Sequence, residues 1–267
     1  MKKLDGPYAV LITPFKGDKV DFDILSLEID RINKSEVSGF VVNGSTSEFV
    51  DLSIDEQLSI IKFVCENKKE GKTIIAGASF SNYVDCVKLG NEAADYGCDY
   101  LLICPPYYFK HKKDEIENFY LKIADKVKIP VILYNIPFFT DEISLDVAVK
   151  LLKHNNIVGI KDSSANMKRL IHLKNMTDKS VLTGTDDIIA PAIIAGCDGS
   201  FTAFAAIYPD KISNLYKAFN DKDYDKLLKL QNELLPLLRK ADSETFPRGY
   251  KDLLQEELKL EIKDKEL

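Results

Sequence analysis

The sequence reads IVGIKDSS over residues 157–164, where a short apolar segment ends in a lysine and passes into polar residues. Such a segment is typical of a strand that is buried on both faces. Lysine is ordinarily a solvated surface residue, so Lys161 is informative only if that strand belongs to a barrel. At the mouth of a parallel barrel, partial desolvation favours the neutral, nucleophilic amine. The significance of Lys161 therefore depends on the fold.

Short β-branched segments recur along the chain, and helix-length stretches separate them. The predicted strands cover residues 9–12, 39–42, 73–77, 100–104, 131–134, 158–161, 181–184 and 199–203. After the second strand, Ser53 and Glu56 have capping-box spacing, and apolar residues follow on one helical face. Further helices are predicted over residues 82–96, 113–127, 145–154, 165–175 and 187–195. Strand and helix thus alternate.

This alternation predicts an α/β fold, a (β/α)8 TIM barrel with a short helical C-terminal extension. The length of 267 residues suits one such barrel, although two smaller domains are also conceivable. A doubly wound open sheet shares the pattern, but no glycine-rich phosphate loop follows the first strand, which favours closure. We assign residues 1–208 to the barrel and 209–267 to the last barrel helix and the extension of the same domain. In the extension, helices are predicted over residues 209–220, 224–240 and 243–258, and the charge-dense stretch 251–267 is either a solvated helix or frayed.

Composition favours a small-molecule partner. Hydrophobic residues make up 45% of the chain and charged residues 29%, with no apolar run long enough to span a membrane and no signal-peptide region, so a cytoplasmic location is expected. A net charge of −6 disfavours nucleic acid and anionic membranes. Five cysteines without a CxxC pair argue against a disulfide framework. The three histidines share no metal-ligand spacing, so no metal site is expected.

In a TIM barrel the chemistry lies at the carboxyl ends of the strands, and four such ends carry polar motifs. The loop NGSTSE over 43–48 is suited either to holding a carboxylate or to capping a helix. The tyrosines of CPPYY (104–108) and YNIP (134–137) are either packing residues or catalysts. The acids of GTDD (184–187) either begin a helix or bind hydroxyls. Because Tyr134 closes the strand beside that of Lys161, these two side chains are expected within reach of each other.

Taken together, GSTSE (44–48), Tyr107-Tyr108, YNIP (134–137) and GIKD (159–162) resemble the pyruvate-dependent class I aldolase family of dihydrodipicolinate synthase and N-acetylneuraminate lyase. The likeness runs from Gly6 to about Tyr250, in order and at family spacing.

The resemblance implies the roles of individual residues. Lys161 would form a Schiff base with the ketone of pyruvate or a 2-keto acid, with no other cofactor and no metal. Ser45 and Thr46 would bind the carboxylate, and Tyr134 would carry the proton, aided by a hydroxyl relay through Ser45. Tyr108 would reach across a dimer interface to the neighbouring subunit, in a homo-oligomer expected to be a tetramer built as a dimer of dimers.

Departures from the family pattern bear on the substrate. Dihydrodipicolinate synthases place an arginine after the fifth-strand motif, where this chain has FFT over 138–140. N-acetylneuraminate lyases carry a glycine-serine pair near the end of strand eight, where this chain has TAF over 202–204, but the acidic pair after strand seven is retained. Ser47 also replaces a family glycine, and this side chain is expected to tighten or shift the turn.

The motifs are most similar to those of archaeal-type 2-keto-3-deoxygluconate aldolases. We therefore expect a Schiff-base aldolase that cleaves a 2-keto-3-deoxy sugar acid to pyruvate and an aldehyde such as glyceraldehyde. Candidate contacts to that substrate are Ser163 or Ser164, Asp186, Asp187 and Phe201. The alternatives are N-acetylneuraminate lyase, dihydrodipicolinate synthase and a non-catalytic keto-acid-binding or regulatory protein.

Overall fold

A computed structural model describes residues 3–265 and contains a closed barrel of eight parallel strands. The barrel strands are β1 (Gly6–Val10), β4 (Gly39–Val42), β5 (Thr73–Gly77), β6 (Tyr100–Ile103), β7 (Val131–Asn135), β8 (Ile157–Asp162), β9 (Ser180–Thr183) and β10 (Gly199–Thr202). Strand β10 pairs with β1 and closes the barrel. The predicted barrel is thus confirmed. A small hairpin of β2 (Phe15–Lys16) and β3 (Lys19–Val20), which the sequence did not predict, follows the first strand.

Helices alternate with the barrel strands and continue beyond them. They are α1 (Phe22–Lys34), α2 (Ile54–Asn67), α3 (Tyr83–Tyr96), α4 (Lys113–Ala124), α5 (Leu145–Leu151), α6 (Met167–Met176), α7 (Ile189–Ile194), α8 (Phe204–Ile207), α9 (Pro209–Asn220), α10 (Tyr224–Ala241) and α11 (Arg248–Leu258). The predicted capping box begins α2, where the Ser53 amide donates to the Glu56 carboxylate at 2.8 Å and the Glu56 amide donates to the Ser53 hydroxyl at 3.3 Å.

Some helix boundaries differ from the sequence prediction. The last helix begins at Arg248 rather than at residue 243, because Pro247 has no amide to donate in a helix interior and stands just before the first turn. The helix predicted over 187–195 begins instead with a separate 3-10 turn, Asp186–Ile188. Helices α1 and α8 were not predicted.

Apolar side chains fill two regions, one inside the barrel and one between the barrel and its helices. The interior contains alternate strand residues such as Val41, Ile75, Leu102 and Ile132, as expected when successive side chains point to opposite faces. The second, larger region joins the outer faces of the strands to the helices. Packing on both sides holds the carboxyl ends of the strands in fixed relative positions.

The charge-dense end, predicted to be a solvated helix or frayed, is helical up to Leu258 but buries Lys251, Leu253 and Leu254, and the chain after α11 folds back onto the barrel. Lys251 is completely buried, and Ile262 is 1% exposed. Lys263 forms a bridge to Phe15 of the hairpin. Residues 266 and 267, the last of the predicted extension, lie outside the described residues. Within residues 3–265 no helix combines the length and the apolar character needed to cross a bilayer.

Candidate active site

Lys161 and Tyr134 meet at the carboxyl ends of two neighbouring strands, as the sequence predicted. The two residues are directly paired in the register of β7 and β8. Lys161 is only 4% exposed, and its Nζ lies 4.0 Å from the centroid of the Tyr134 ring. Gly184 makes room for the lysine, because a Cβ at that position would overlap Ser163 Oγ and lie 2.7 Å from Lys161 Cε. The amine therefore stands against a phenol in a closely packed position.

The turn after β4 carries a hydroxyl to the same place. Ser45 Oγ lies 3.2 Å from the Tyr134 hydroxyl, within hydrogen-bonding distance. Ser47, which replaces a glycine of the family pattern, donates from its hydroxyl to the Leu11 carbonyl at 2.5 Å and accepts from the Gly44 amide at 3.2 Å. The Ser47 side chain thus ties the 3-10 turn Ser45–Ser47 to the chain that follows β1.

A pocket of about 570 Å³ opens above Lys161. The predicted site residues other than Tyr108 and Ser164 line it, namely Ser45, Thr46, Tyr134, Lys161, Ser163, Asp186, Asp187 and Phe201. Among the described residues that line this pocket, Lys161 is the only lysine or arginine. A larger hollow of about 810 Å³ lies at the amino end of β1 and is lined by none of these side chains. The groups able to do chemistry are therefore gathered in one pocket.

Three carboxyl groups stand on one side of the pocket. Asp186 is buried, and burial raises its pKa to about 7, with smaller contributions from Asp187 and Asp242, while the Lys161 ammonium acts in the opposite direction. The Thr202 hydroxyl accepts from the Phe204 amide at 3.0 Å, so its own proton is free to point at Asp186 Oδ1, with which it is in contact. Burial and the charge of Asp187 also raise the pKa of Asp242. This side of the pocket is suited to hydroxyl donors or cations.

A buried polar network lies behind the reactive pair. Asp162, next to Lys161, accepts from Arg169 Nε at 2.6 Å and from Asn135 Nδ2 at 2.8 Å. Arg169 Nη2 also donates to the Ile143 carbonyl at 2.5 Å. Since Asn135 follows Tyr134 and Asp162 follows Lys161, this network fixes the ends of both strands. The strand-end rule does not select Arg169, whose role depends on the reach of a side chain from α6.

A sequence model of the Dihydrodipicolinate synthetase family matches residues 3–262. The chain belongs to this family. It is 37% identical to a 4-hydroxy-tetrahydrodipicolinate synthase from Methanosarcina mazei over 248 residues, which cover 91% of this chain and 84% of the relative.

Two solved structures extend the comparison. One is a chloride-inhibited dihydrodipicolinate synthase from Acinetobacter baumannii complexed with pyruvate, with 29% identity, 96% and 89% of the two chains covered and a TM-score of 0.91. The other is a 2-keto 3-deoxygluconate aldolase from Picrophilus torridus, with 26% identity, 96% and 94% covered and a TM-score of 0.91.

Proteins of the dihydrodipicolinate synthetase family are pyruvate-dependent lyases that use a Schiff-base lysine, and this chain is an enzyme of that class. The predictions of the family, the barrel and the lyase class are thus confirmed. The non-catalytic alternative conflicts with membership of a family of lyases.

Tyr108, a predicted catalytic residue, lies outside the pocket that a single chain forms. Its side chain is 89% exposed and contacts the Phe109 ring edge to face. Its φ of +82° is uncommon for a residue with a side chain. The preceding residue, Tyr107, instead lines a smaller pocket of about 300 Å³ that also touches Ser45.

Several pocket residues escaped the sequence analysis because they follow the barrel. Leu238, Asp242, Phe246 and Tyr250 also line the pocket and come from the end of α10, the segment that joins it to α11, and the start of α11. The rule that points to strand ends gives no signal for residues beyond the last strand. Phe246 and Tyr250 are four residues apart and their rings are in contact, but this spacing is equally typical of a packed helix.

Proposed function

We propose that this enzyme is a Schiff-base aldolase that reversibly cleaves a 2-keto-3-deoxy sugar acid to pyruvate and an aldehyde, with Lys161 as the amine. The observation that carries the proposal is the contact of the buried Lys161 amine with Tyr134, whose hydroxyl lies 3.2 Å from Ser45. An amine, a phenol and a hydroxyl turn are the groups that this chemistry requires.

Each of these groups has a definite part in the reaction. The neutral amine of Lys161 attacks the C2 ketone, and Tyr134 gives its proton to the departing hydroxyl, so that water leaves and a protonated imine and a phenolate result. The Tyr134 phenolate takes the proton of the C4 hydroxyl, the C3–C4 bond breaks, and its electron pair moves into an enamine while the aldehyde leaves. Protonation of the enamine at C3 and addition of water release pyruvate and regenerate the amine. Ser45 and Thr46 hold the substrate carboxylate, which balances the positive imine.

The walls of the pocket support a hydroxyl-rich substrate. With three carboxyl groups on one side and no arginine among the described lining residues, the outer pocket offers no clamp for a second carboxylate. Ser163, Asp186 and Asp187 are suited to accept hydrogen bonds from sugar hydroxyls, and Phe201 supplies an apolar surface. The similarity to the Picrophilus torridus 2-keto 3-deoxygluconate aldolase agrees with this choice.

Dihydrodipicolinate synthase is the second candidate function. The curated relatives from Methanosarcina mazei and Methanocaldococcus jannaschii bear the name 4-hydroxy-tetrahydrodipicolinate synthase, which favours condensation of pyruvate with an amino aldehyde acid. The carboxylate of that aldehyde would have to bind beside Asp186 and Asp187 without a cationic partner, which like charges disfavour.

Borohydride trapping with pyruvate tests the imine and a substrate panel tests the aldehyde. Reduction is expected to fix one pyruvate adduct on Lys161, detected by mass, and none on Lys161→Ala. Release of pyruvate from 2-keto-3-deoxy acids should exceed condensation of pyruvate with aspartate semialdehyde. If condensation with aspartate semialdehyde is faster, the proposed aldolase function is wrong and the synthase function is favoured. If no pyruvate adduct forms on Lys161, both proposed functions are wrong.

We further propose that Tyr108 serves the active site of a neighbouring copy in a homo-oligomer, a tetramer built as a dimer of dimers. Supporting observations are its exposure and the exposed apolar side chains of Val50, Val84 and Phe109. Large exposed apolar surfaces are typical of interaction sites.

Subunit mixing tests this role directly. Tyr108→Phe and Lys161→Ala are each expected to be nearly inactive. After unfolding and refolding together, mixed oligomers should recover activity, because the Lys161→Ala subunit supplies its tyrosine to the intact lysine of the other. If Tyr108 acts within its own chain, mixing restores nothing. Each variant refolded alone is the control.

A further inference from the structure

Lys251 is a charged side chain with no exposed surface, and the reaction proposed above does not use it. It lies on α11, and its Nζ contacts Glu48 Oε2, lies 3.1 Å from Asp264 Oδ1 and stands 4.8 Å from the centroid of the Phe15 ring. A buried ammonium is stable only where carboxylates compensate its charge. Here the two carboxylates come from opposite ends of the chain, so Lys251 links distant segments.

Glu48 closes the turn that carries Ser45 and Thr46. Its amide donates to the Ser45 carbonyl at 3.0 Å, and its φ of +55° lies in the left-handed region, which is uncommon for residues other than glycine. Burial raises the pKa of Glu48, and the hydrogen bond and charge of Lys251 offset part of this effect. The backbone position of Glu48, and with it the end of the turn, therefore depends on where its carboxylate is held.

Residues 259–265, which we call the tail, cover this ion cluster. The chain reverses at Lys259, whose φ is +57°, and Ile262 then packs into the core. Lys265 Nζ donates to the Asp51 carbonyl and to the Glu56 carboxylate, each at 2.9 Å. The tail is therefore joined to the chain around the turn in two ways. Asp264 is linked to Glu48 through Lys251, and Lys265 binds Asp51 and Glu56, which follow the turn.

We propose that Lys251 is a positioning residue, which together with Glu48 and Asp264 fixes the Ser45–Thr46 turn for the carboxylate of the keto acid. The proposal rests on the proposed function, in which that turn binds the carboxylate. Loosening the turn weakens carboxylate binding but leaves the amine and the phenol in place. Such a change raises the substrate concentration needed for saturation and affects the saturated rate much less.

The test measures how the borohydride-trapped adduct on Lys161 depends on pyruvate concentration. In Lys251→Met the half-saturating pyruvate concentration is expected to rise about tenfold or more, because a small misplacement of a binding group is costly. The adduct at saturating pyruvate should match that of the unchanged enzyme. The matched control is Lys240→Met, which removes an exposed ion pair between Lys240 of α10 and Glu256 of α11 and should leave half-saturation unchanged.

A second variant separates positioning from stability. Lys251→Met leaves the partly buried Glu48 carboxylate without its cation and lowers the thermal midpoint, whereas Glu48→Gln combined with Lys251→Met removes both charges and should recover much of the loss. Positioning predicts that half-saturation stays high in the double variant. Two results overturn the proposal. One is a double variant in which the half-saturating pyruvate concentration returns to normal along with the thermal midpoint, and the other is a half-saturating concentration that Lys251→Met leaves unchanged.

If the Lys251 variants do not fold, a milder substitution still tests the proposal. Asp264→Asn keeps the Glu48 contact and should give a smaller rise in half-saturation, and no rise overturns the proposal. Absence of an adduct in the unchanged enzyme refutes the proposed function itself, which distinguishes that failure from this one.

Discussion

Asp186 combines burial with a place on the pocket wall, and burial raises its pKa to about 7, so that it ionises in the neutral range. Only the ionised carboxylate accepts hydrogen bonds at both oxygens, so binding of a hydroxylated substrate should improve as Asp186 loses its proton. We expect kcat/KM for a 2-keto-3-deoxy sugar acid to rise with pH through about 7. Asp186→Asn should remove this rising limb, as measured in a pH series.

Two neighbours of Asp186 should move the limb in opposite directions. Thr202→Val removes a hydroxyl that donates to the carboxylate, so the pKa of Asp186 rises and the limb moves up by as much as about one pH unit. Asp187→Asn removes a repelling charge, so the limb moves down. Shifts in the same direction, or none, would assign the limb to another group.

At the scale of elements, the barrel strands and their loops were predictable and the side-chain connections between elements were not. Short segments that are apolar on both faces predict the eight strands to within a few residues of their observed bounds, because few structures other than a parallel barrel bury both faces of a strand. Lys161, Tyr134 and Ser45 follow from that count because they sit at strand ends. The contacts of Arg169 and Lys251 depend on packing between segments distant in the chain, for which a single sequence contains no period or spacing.

Substitution of Arg169 tests how much its ion pair with Asp162 contributes to stability at the ends of β7 and β8. Arg169→Met leaves the fully buried Asp162 carboxylate without its cation and should reduce the free energy of unfolding by about 3–5 kcal/mol. Lys128→Met, which breaks an exposed pair with Asp95, should cost less than about 1 kcal/mol. Urea unfolding of both variants compares them, and similar small losses would mean that the buried pair adds little beyond its packing.

For the whole molecule, buried carboxyl groups determine how stability depends on pH. Burial raises the pKa of Glu28 to about 8 and of Asp186 to about 7, and also raises that of Glu48. Between about pH 4.5 and 8 the native protein therefore keeps protons that the unfolded chain has lost, so stability falls as pH rises. In Asp141 and Asp264, hydrogen bonds and nearby cations outweigh partial burial and lower the pKa, so their contribution is lost only on strong acidification. Stability should be greatest near pH 5.

Glu28 is expected to contribute most to this loss. It lies on α1, is fully buried and accepts the Ile12 amide with one oxygen at 3.0 Å. Glu28→Gln keeps an acceptor for that amide and removes the ionisation. At pH 8.5 the free energy of unfolding of the variant should therefore exceed that of the unchanged protein by on the order of 2–4 kcal/mol, and at pH 5 the two values should be closer. Urea unfolding at the two pH values measures the difference, with the exposed Glu66→Gln as control. If Glu28 causes the loss of stability at high pH, removing its ionisation must make stability depend less on pH. An equal fall of stability with pH in Glu28→Gln and in the unchanged protein would therefore show that Glu28 is not the cause.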